Sequence, residues 1–234
     1  MDISNSEIDR LGERLRLSGP GPGQPSSPSP PDLIMLDTYR RTFEPAYRSV
    51  VSAIETELSV ATSGRPSKVT DSIVWKLQRQ ETLRLSQMQD IAGCRLEVDS
   101  IAEQDKLVSK LQDLFEQAKS HDRRDRLGDY RAFHLVVPVN GRWVEIQVRT
   151  QMQHLWATIS ETLAAAYRSP ELKYGADFPA RPDLRRQLKE FSALIAGLES
   201  RSPTEAGESR LGAVIDLMVR AVILANEAKR INPE

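Results

Sequence analysis

The chain has 234 residues, which suits one folded domain with appendages, and its 32 Lys and Arg nearly balance its 33 Asp and Glu. Because these charges cancel, the sequence has no overall basic field of the kind that binds nucleic acid. One cysteine, Cys94, and three histidines argue against a disulfide framework and a Cys- or His-based metal site. No apolar run reaches the roughly 18 residues of a membrane span and no signal peptide is visible, so we expect a soluble cytoplasmic protein.

The N-terminal part predicts little regular structure. Residues 1–18 match a helix only weakly, and the Pro, Gly and Ser residues at 19–32 are typical of a disordered linker. We expect the folded part to begin near Asp32, a suitable helix N-cap. Two core helices, separated at Pro45, are then predicted from apolar residues at helical spacing: Leu33, Leu36, Tyr39, Phe43, Ala46, Tyr47, Val50, Val51, Ile54 and Leu58.

Residues 63–80 predict a loop followed by a helix that begins near Thr70 or Asp71. Lys68, Ser72 and Lys76 are spaced by four and share one face once the helix has begun. Lysines on such a face are usually solvated. Beside a helix N-terminus they also suit a polyphosphate, because unpaired amides and the helix dipole add to the ammonium charges.

The middle of the chain predicts a strand, a helix and a loop. Residues 88–98 read as a turn and a strand, with Asp90 just before the strand and Gly93 within it. Residues 103–117 form an amphipathic helix, and the basic run at 119–131 is a loop that is either solvated or binds an anion. This order of elements predicts an α/β domain in which helices cover a small sheet.

A β-hairpin is predicted around Asn140-Gly141, the strongest short signal for a two-residue turn. Three apolar residues alternate with polar ones in the second strand, which therefore buries one face. Counting back from a two-residue turn places Val136 opposite Glu145 and His134 opposite Gln147. The hairpin then presents four polar side chains on one surface, either as a solvated face or as the floor of an active site: His134, Glu145, Gln147 and Arg149.

Three helices are predicted after the hairpin, over residues 151–167, 183–198 and 208–228. Leu155, Trp156, Ile159 and Leu163 are expected on the buried side of the first. The other two form a C-terminal pair that completes the core or builds an oligomer interface. Their apolar stripes comprise Leu184, Leu188, Phe191, Leu194, Ile195 and Leu198, then Leu211, Val214, Ile215, Met218, Val222 and Leu224.

Two carboxylates, Asp90 and Glu145, lie on or beside predicted strands, and basic residues are available to meet phosphates. Mg²⁺ takes one or two carboxylates together with phosphate oxygens. Fixed Lys and Arg charges stabilise a transferred phosphoryl group, and a carboxylate can accept the proton of an attacking hydroxyl. The combination indicates metal-assisted phosphoryl or pyrophosphoryl transfer.

Five blocks in order, within about residues 40–170, resemble the RelA/SpoT-type alarmone synthetase domain. They are Arg65-Pro-Ser-Lys68 with Ser72-Ile-Val-Trp-Lys76, Gln89-Asp90-Ile-Ala-Gly93-Cys-Arg95, Tyr130-Arg-Ala-Phe-His134, Val144-Glu145-Ile-Gln147-Val-Arg149-Thr150, and His154-Leu-Trp156-Ala. The resemblance implies transfer of the β,γ-pyrophosphate of ATP to the ribose 3′-hydroxyl of GDP or GTP, which makes (p)ppGpp. It also implies a nucleotidyltransferase-like fold with a small mixed sheet flanked by helices.

The resemblance implies a role for each matched position. Asp90 would hold Mg²⁺, and Glu145 would be the catalytic carboxylate that shares the metal. The implied ATP-binding residues are Arg65, Lys68, Ser72, Lys76 and Arg95. Tyr130 would stack on the acceptor base, and the other implied acceptor-binding residues are Arg126, Arg131, His134, Gln147 and Arg149.

The chain departs from the family where glycine usually precedes the tyrosine. Asp129 stands there and Gly128 comes one position earlier, which predicts an extra carboxylate beside the acceptor pocket. The spacing from Arg65 to Lys68 is also one residue longer than is common. Trp156 and Cys94 are expected in the core, and His121 and His154 at structural or surface positions.

The resemblance also implies a domain division and a partner. We expect residues 1–32 to be disordered, 33–175 to form the synthetase domain without a hydrolase domain, and 176–234 to form the C-terminal helices. Small members of the family are often tetramers, so a homo-oligomer is implied, and the arginines at 119–126 leave RNA contact open. Two alternatives stay open: a toxin-type relative that pyrophosphorylates adenine nucleotides or the tRNA 3′ end, and a catalytically silent nucleotide sensor.

Overall fold

A computed structural model of the chain describes residues 3–18, 27–124, 129–169, 172–173, 178–200 and 208–231. The helices are α1 (Asn5–Arg16), α2 (Pro30–Arg41), α3 (Glu44–Leu58), α4 (Thr70–Arg79), α5 (Ile101–Leu114), α6 (Gln151–Ala166), α7 (Pro182–Glu199) and α8 (Glu208–Ile231). The strands are β1 (Ser63–Arg65), β2 (Ala92–Val98), β3 (Lys119–Asp122), β4 (Phe133–Val139) and β5 (Arg142–Thr150), and a short 3₁₀ turn lies at Leu85–Gln87. Within these residues, no helix has the length and apolar character needed to cross a membrane.

The strands form one five-stranded mixed sheet in the order β1-β2-β5-β4-β3, flanked by helices, as predicted. Strands β4 and β5 are joined by Asn140 and Gly141 alone, with φ angles of 51° and 72°. Two positive φ angles in a two-residue loop define the turn type that matches strand twist. The predicted hairpin turn is therefore confirmed.

Strand β5 alternates between a buried and a partly open face, as its sequence predicts. Val144, Ile146 and Val148 are fully buried, whereas Glu145 and Gln147 are half-buried on the other face. Because side chains alternate across a strand, the buried residues fix the direction in which the polar ones point.

The two edge strands were not predicted. Ser63–Arg65 and Lys119–Asp122 were expected to be loops, yet they form β1 and β3. Neither segment buries one face, so neither has an alternating apolar pattern. Each forms a strand through its hydrogen bonds to a neighbouring strand instead. Strand β1 pairs antiparallel with β2, with Ser63 opposite Arg95 and Arg65 opposite Gly93.

The chain divides into two compact units. The first comprises Met1–Leu96, Lys110–Ser120 and Leu135–Gln147, and the second comprises Glu97–Ser109, His121–His134 and Val148–Glu234. Helices α1–α4 belong to the first unit, and α6–α8 belong to the second. The domain boundary expected after residue 175 stays a prediction.

Helix α1 corrects the expectation that residues 1–32 are disordered. Its Ile8, Leu11 and Leu15 are fully buried, and Ser4 and Glu7 form a capping box at its start. Gly12 packs against Leu85 so closely that an added Cβ would lie 2.8 Å from the Leu85 Cβ. Burial of this apolar stripe outweighs the weak helix propensity that the sequence suggested.

Arg16, on the last turn of α1, binds the C-terminal end of α4. One guanidinium nitrogen donates to the carbonyl oxygens of Leu77 and Gln80 at 2.7 and 2.9 Å, and the other donates to that of Leu83 at 2.6 Å. The last carbonyls of a helix have no partners within the helix. Arg16 therefore caps α4 and connects it to α1.

Two helix boundaries in the first unit were set by proline. Helix α2 begins at Pro30, because Ser29 is the N-cap and accepts a hydrogen bond from the Asp32 amide, so Asp32 lies within the first turn rather than at the cap. Pro45 lies in the first turn of α3, after α2 has ended at Arg41, so the predicted break is confirmed.

In the second unit, α6 and α7 bury the stripes that were predicted. Trp156 is 2% exposed and donates from Nε1 to the Leu188 carbonyl at 3.0 Å, which confirms it as a core residue. Leu155, by contrast, is on the outer side of α6, at 36% exposure.

The predicted buried face of α8 was wrong. Of the predicted stripe, Leu224 is buried, but Ile215, Met218 and Val222 are exposed, and the helix buries Leu217 and Ala228 beside Leu224. Because α8 carries apolar residues on more than one face, periodicity alone does not select the face that packs. The side chains of Leu211 and Val214 lie outside the described ones.

Replacing Arg16 with Ala should lower the free energy of unfolding by about 2 kcal/mol, because two carbonyl oxygens at the end of α4 and that of Leu83 just beyond it lose a charged donor. Urea unfolding of the purified variant measures this. Arg10→Ala, an exposed change on the same helix, should stay within about 0.5 kcal/mol of wild type. Equal stability of the two variants would contradict the capping role of Arg16.

Candidate functional site

A carboxylate held by two lysines lies at the start of β2. Asp90 accepts hydrogen bonds from Lys68 Nζ at 2.6 Å and from Lys76 Nζ at 2.7 Å, one on each carboxylate oxygen. The three side chains are only 13–20% exposed. Lys68 precedes α4 and Lys76 lies within it, so this ion-pair cluster joins α4 to the start of β2.

The electrostatics of the Lys68–Asp90–Lys76 cluster favour an ionised carboxylate. Burial alone would raise the pKa of Asp90, but the charges of Lys68 and Lys76 outweigh it, so the pKa is lowered overall. The charge of Glu145 acts in the opposite direction and raises the pKa of Asp90 by repulsion. With two ammonium groups and one carboxylate, the cluster has an excess of positive charge suited to a phosphate.

The segment that carries Lys68 is fixed by contacts with the backbone. The Lys68 amide donates to the Ile91 carbonyl at 2.7 Å, next to Asp90 in sequence. Arg40 of α2 donates to the Lys68 carbonyl at 3.1 Å and to Thr70 Oγ1 at 3.3 Å. Arg40 was not predicted from the sequence, because its partners lie about 30 residues away and no local pattern indicates the contact.

The first turn of α4 is capped by Val69, which makes no side-chain hydrogen bond to the helix. The N–H groups at a helix start lack intrahelical acceptors, and the helix dipole favours an anion there. Ser72 is half-buried in this turn, four residues after Lys68 and four before Lys76, as predicted. The beginning of α4 therefore combines amide donors with two lysines.

Glu145 lies in a row of residues across three strands. Arg65 of β1 is opposite Gly93 of β2, and a Cβ added at Gly93 would lie 3.5 Å from the Glu145 Cβ and 2.9 Å from its carbonyl oxygen. Directly opposed residues point to the same side of a sheet, so Arg65 and Glu145 share a face. Gly93 leaves the space between them without a side chain. Arg95, two residues after Gly93, lies on the same face and is half-buried.

Gln147 is the neighbour of Glu145 on the same face of β5. Its Nε2 donates to Glu145 Oε2 at 2.6 Å, so the amide orients the carboxylate. The resemblance implied that Gln147 binds the acceptor, and the structure shows it in contact with the catalytic candidate.

Two residues of the second unit, His134 and Arg149, contact Tyr130. The Tyr130 hydroxyl is 2.8 Å from His134 Nε2 and accepts a hydrogen bond from Arg149 at 2.7 Å. The Arg149 guanidinium lies 5.1 Å from the centre of the Tyr130 ring, within cation–π range. His134 and Arg149 are 4% and 2% exposed. They therefore orient Tyr130 more than they offer surface to a ligand.

The other predicted acceptor-binding residues are placed differently. Arg131 donates to Ser192 Oγ of α7 at 3.4 Å and to the Arg124 carbonyl. Arg126 lies outside the described residues.

Cys94 is buried, which raises the pKa of its thiol to about 12 and confirms it as a core residue. His154 is paired with Glu97 at 3.4 Å, in agreement with a structural position.

The donor set suits Mg²⁺ better than a metal held by protein alone. The described part of the chain contains no group of three or more His, Cys, Asp or Glu side chains arranged to hold a metal ion. Mg²⁺ needs only one or two carboxylates when phosphate oxygens and water complete its shell. Asp90 and Glu145 could serve as such a pair, since their charges interact and a divalent cation would relieve the repulsion.

Asp90→Asn should remove an acid-sensitive part of the stability. Because the pKa of Asp90 is lower in the folded than in the unfolded protein, its contribution is present above the unfolded value of about 3.9 and is lost as the pH falls through the folded value. The variant should lose about 2 kcal/mol at pH 6 and less at pH 2.5, which lies below the unfolded pKa, as measured by thermal unfolding at both values. Asp113→Asn, an exposed change on α5, is the control and should track wild type. A loss that is the same at both pH values would contradict the ion-pair account.

Gly93→Ala should destabilise the protein by about 2 kcal/mol, because the new methyl group would lie 2.9 Å from the Glu145 carbonyl oxygen and force β2 and β5 apart. Chemical denaturation measures the loss. Gly197→Ala, in α7, adds a Cβ that meets no described atom beyond its chain neighbours and its own helix backbone within 4 Å, and it should instead be neutral or stabilising by up to about 1 kcal/mol. If both variants are as stable as wild type, the close approach is not a constraint.

Comparisons with known proteins identify the region that contains these residues. Residues 64–171 match the family described as the region found in RelA / SpoT proteins. The uncharacterised protein Rv1366 of Mycobacterium tuberculosis is 41% identical over 105 residues, which are 43% of this chain and 38% of that protein. The chain thus spans well under half the length of this relative.

A solved structure shows the same fold. The crystal structure of small alarmone synthetase 1 from Bacillus subtilis, bound to its product pppGpp, aligns with a TM-score of 0.54 over 73% of this chain and 100% of that chain, at 23% identity. Residues 64–171 of this chain, called the RelA/SpoT region below, thus match the family that its motifs resemble.

Proposed function

We propose that this protein is a (p)ppGpp synthetase, which transfers the β,γ-pyrophosphate of ATP to the ribose 3′-hydroxyl of GDP or GTP. The observation that carries the proposal is the Lys68–Asp90–Lys76 cluster, which lies within the RelA/SpoT region. The charge of Glu145 acts on this cluster by raising the pKa of Asp90. Support also comes from the Bacillus subtilis synthetase, which has the same fold and was solved with pppGpp bound.

The first unit supplies the groups that would hold ATP. Lys68 and Lys76 bring two ammonium charges to the beginning of α4, where backbone amides add further donors. Ser72 lies on the same turn, and Arg65 and Arg95 project from the face of the sheet that carries Glu145. These residues would neutralise the triphosphate and hold the β-phosphorus in place for attack.

Glu145 would accept the proton of the 3′-hydroxyl as its oxygen attacks the β-phosphorus of ATP. The new bond joins that oxygen to the β-phosphorus, and the bond between the β-phosphorus and the oxygen that bridges it to the α-phosphate breaks, so AMP leaves with the electron pair. Gln147 donates to one oxygen of Glu145 and so orients the carboxylate. Asp90 stays ionised because the charges of Lys68 and Lys76 lower its pKa.

Mg²⁺ would be held by Asp90 and Glu145 together with phosphate oxygens of ATP. When bound, it would neutralise charge on the transferred group. In the described structure both oxygens of Asp90 contact lysines, so metal binding would release these ammonium groups to the phosphates.

The acceptor nucleotide would be bound by the second unit through Tyr130. An aromatic ring offers a stacking surface to a purine base. His134 and Arg149 fix the tyrosine through its hydroxyl, and the guanidinium lies against its ring. Arg131 belongs to the same segment of chain.

A turnover assay tests the proposal. ATP radiolabelled in its γ-phosphate is supplied with Mg²⁺ and, separately, with GDP, GTP, GMP, ADP, AMP or deacylated tRNA. Label should move to GDP or GTP, and Glu145→Gln should slow transfer by about 10²- to 10⁴-fold, since it removes the proton acceptor. Glu97→Gln, a more exposed carboxylate on β2 outside the cluster, should keep wild-type activity.

Other outcomes of this assay identify the alternatives. Label on an adenine nucleotide or on tRNA would contradict the choice of a guanosine acceptor and indicate a toxin-type enzyme. Binding of nucleotide without transfer to any acceptor would contradict catalysis and indicate a sensor. Equal activity of Glu145→Gln and wild type would remove Glu145 from the mechanism.

A further inference from the structure

The residue before Tyr130 is held by helix α7 at two points. The buried carboxylate of Asp129 forms an ion pair with Arg185, and the Asp129 carbonyl accepts a hydrogen bond from Ser192 Oγ at 2.6 Å. Arg185 and Ser192 are seven residues apart, two turns of the helix, so they lie on one face of α7. Side chain and backbone of Asp129 are thus fixed by the same helix.

The residue after Tyr130 is held by the same helix. Arg131 donates from Nε to Ser192 Oγ at 3.4 Å, and its guanidinium also donates to the Arg124 carbonyl. Ser192 therefore contacts the residues on both sides of the tyrosine. Since the Tyr130 hydroxyl is bound by His134 and Arg149, both the backbone around Tyr130 and the far end of its side chain have defined partners.

The Asp129–Arg185 pair is better explained by positioning than by stability. Asp129 is 7% exposed, and burial raises its pKa even though Arg185, Lys189 and Arg131 act to lower it. Desolvation therefore outweighs the attraction, and a buried pair of this kind contributes little net stability. What it does provide is a fixed geometry, because each charged partner is costly to separate from the other. The expected extra carboxylate beside an acceptor pocket is instead engaged with α7.

We propose that Asp129, Arg185 and Ser192 are positioning residues that hold Tyr130 in the geometry in which it binds the acceptor nucleotide. Helix α7, which lies outside the RelA/SpoT region, thereby sets the affinity for the acceptor but not for ATP. This inference rests on the proposed role of Tyr130 in acceptor binding. Arg185 and Ser192 were missed from sequence, where they border the apolar stripe of α7 and look like solvated positions.

The test measures binding and does not require turnover. Isothermal titration of the full chain with GDP, and separately with a non-hydrolysable ATP analogue, gives two dissociation constants for each variant. Arg185→Gln and Asp129→Asn should each weaken GDP binding about tenfold, which corresponds to a coupling of about 1.4 kcal/mol. Binding of the ATP analogue should stay within about twofold of wild type.

Three further variants separate positioning from damage to the fold. Arg186→Gln, the same change at the adjacent and more exposed residue of α7, should bind GDP as wild type does. Arg185→Lys keeps a cation near Asp129 and should recover part of the affinity. Asp129→Asn/Arg185→Gln should be no weaker than either single variant, because the two residues act as one pair.

Hydrogen exchange of the nucleotide-free protein supplies a readout independent of any ligand. Amides of residues 129–134 should exchange faster in Arg185→Gln than in wild type, while those of α4 should not change. Unchanged exchange together with unchanged GDP affinity would overturn the inference. So would a parallel loss of affinity for both nucleotides, since that is the signature of a general loss of folded protein.

These results also distinguish this inference from the proposed function. If wild type binds GDP but transfers no label to any acceptor, catalysis fails while the variants still decide the positioning role. If wild type binds no guanosine nucleotide, the inference is overturned whatever other acceptor the turnover assay finds.

Discussion

The arrangement of the first unit depends on the need to balance a carboxylate that is largely withdrawn from water. Asp90 is ionised only because Lys68 and Lys76 outweigh the cost of its burial. That requirement fixes α4 against the start of β2, and two further contacts complete the anchoring. Arg40 holds the segment before the helix, and Arg16 caps its end. Helix α4 is thus tied at both ends and in the middle, which would suit the phosphate-binding role proposed for its lysines.

Local signals in the sequence were sufficient to predict the centre of the sheet. Asn140-Gly141 determines the hairpin turn by its own backbone preferences, and the alternation along β5 determines which side chains are buried. The edge strands β1 and β3 lack such signals, since they exist through pairing with a neighbour. The same reason explains helix α8, where apolar residues at Ile215 and Leu224 look alike in sequence and only packing makes one exposed and the other buried.

In the candidate site, too, local signals were predictable from the sequence and long-range contacts were not. The family resemblance assigned Lys68 and Lys76 to ATP and Asp90 to the metal, and the structure brings the three into direct contact. The partners that organise those residues could not be predicted, because Arg40 and Arg185 act over distances of about 30 and 56 residues along the chain. Ion pairs between residues that are far apart in the chain leave no periodic pattern in the sequence. The motifs therefore predict candidate substrate-binding residues, and the fold alone shows which residues hold those candidates in place.

The two polar clusters differ in what they can recognise. In the proposed function, the lysines of the first unit would respond to phosphate charge, which is common to every nucleotide, so they would add affinity for a triphosphate without selecting a base. Tyr130 offers a stacking face, and stacking is tolerant of base identity. Discrimination between guanine and adenine must then arise from hydrogen-bonding groups held at a fixed distance from that ring. Any such group would act only if the ring itself is fixed. In this chain the residues on either side of Tyr130 are held by Arg185 and Ser192 of α7, which lie outside the RelA/SpoT region.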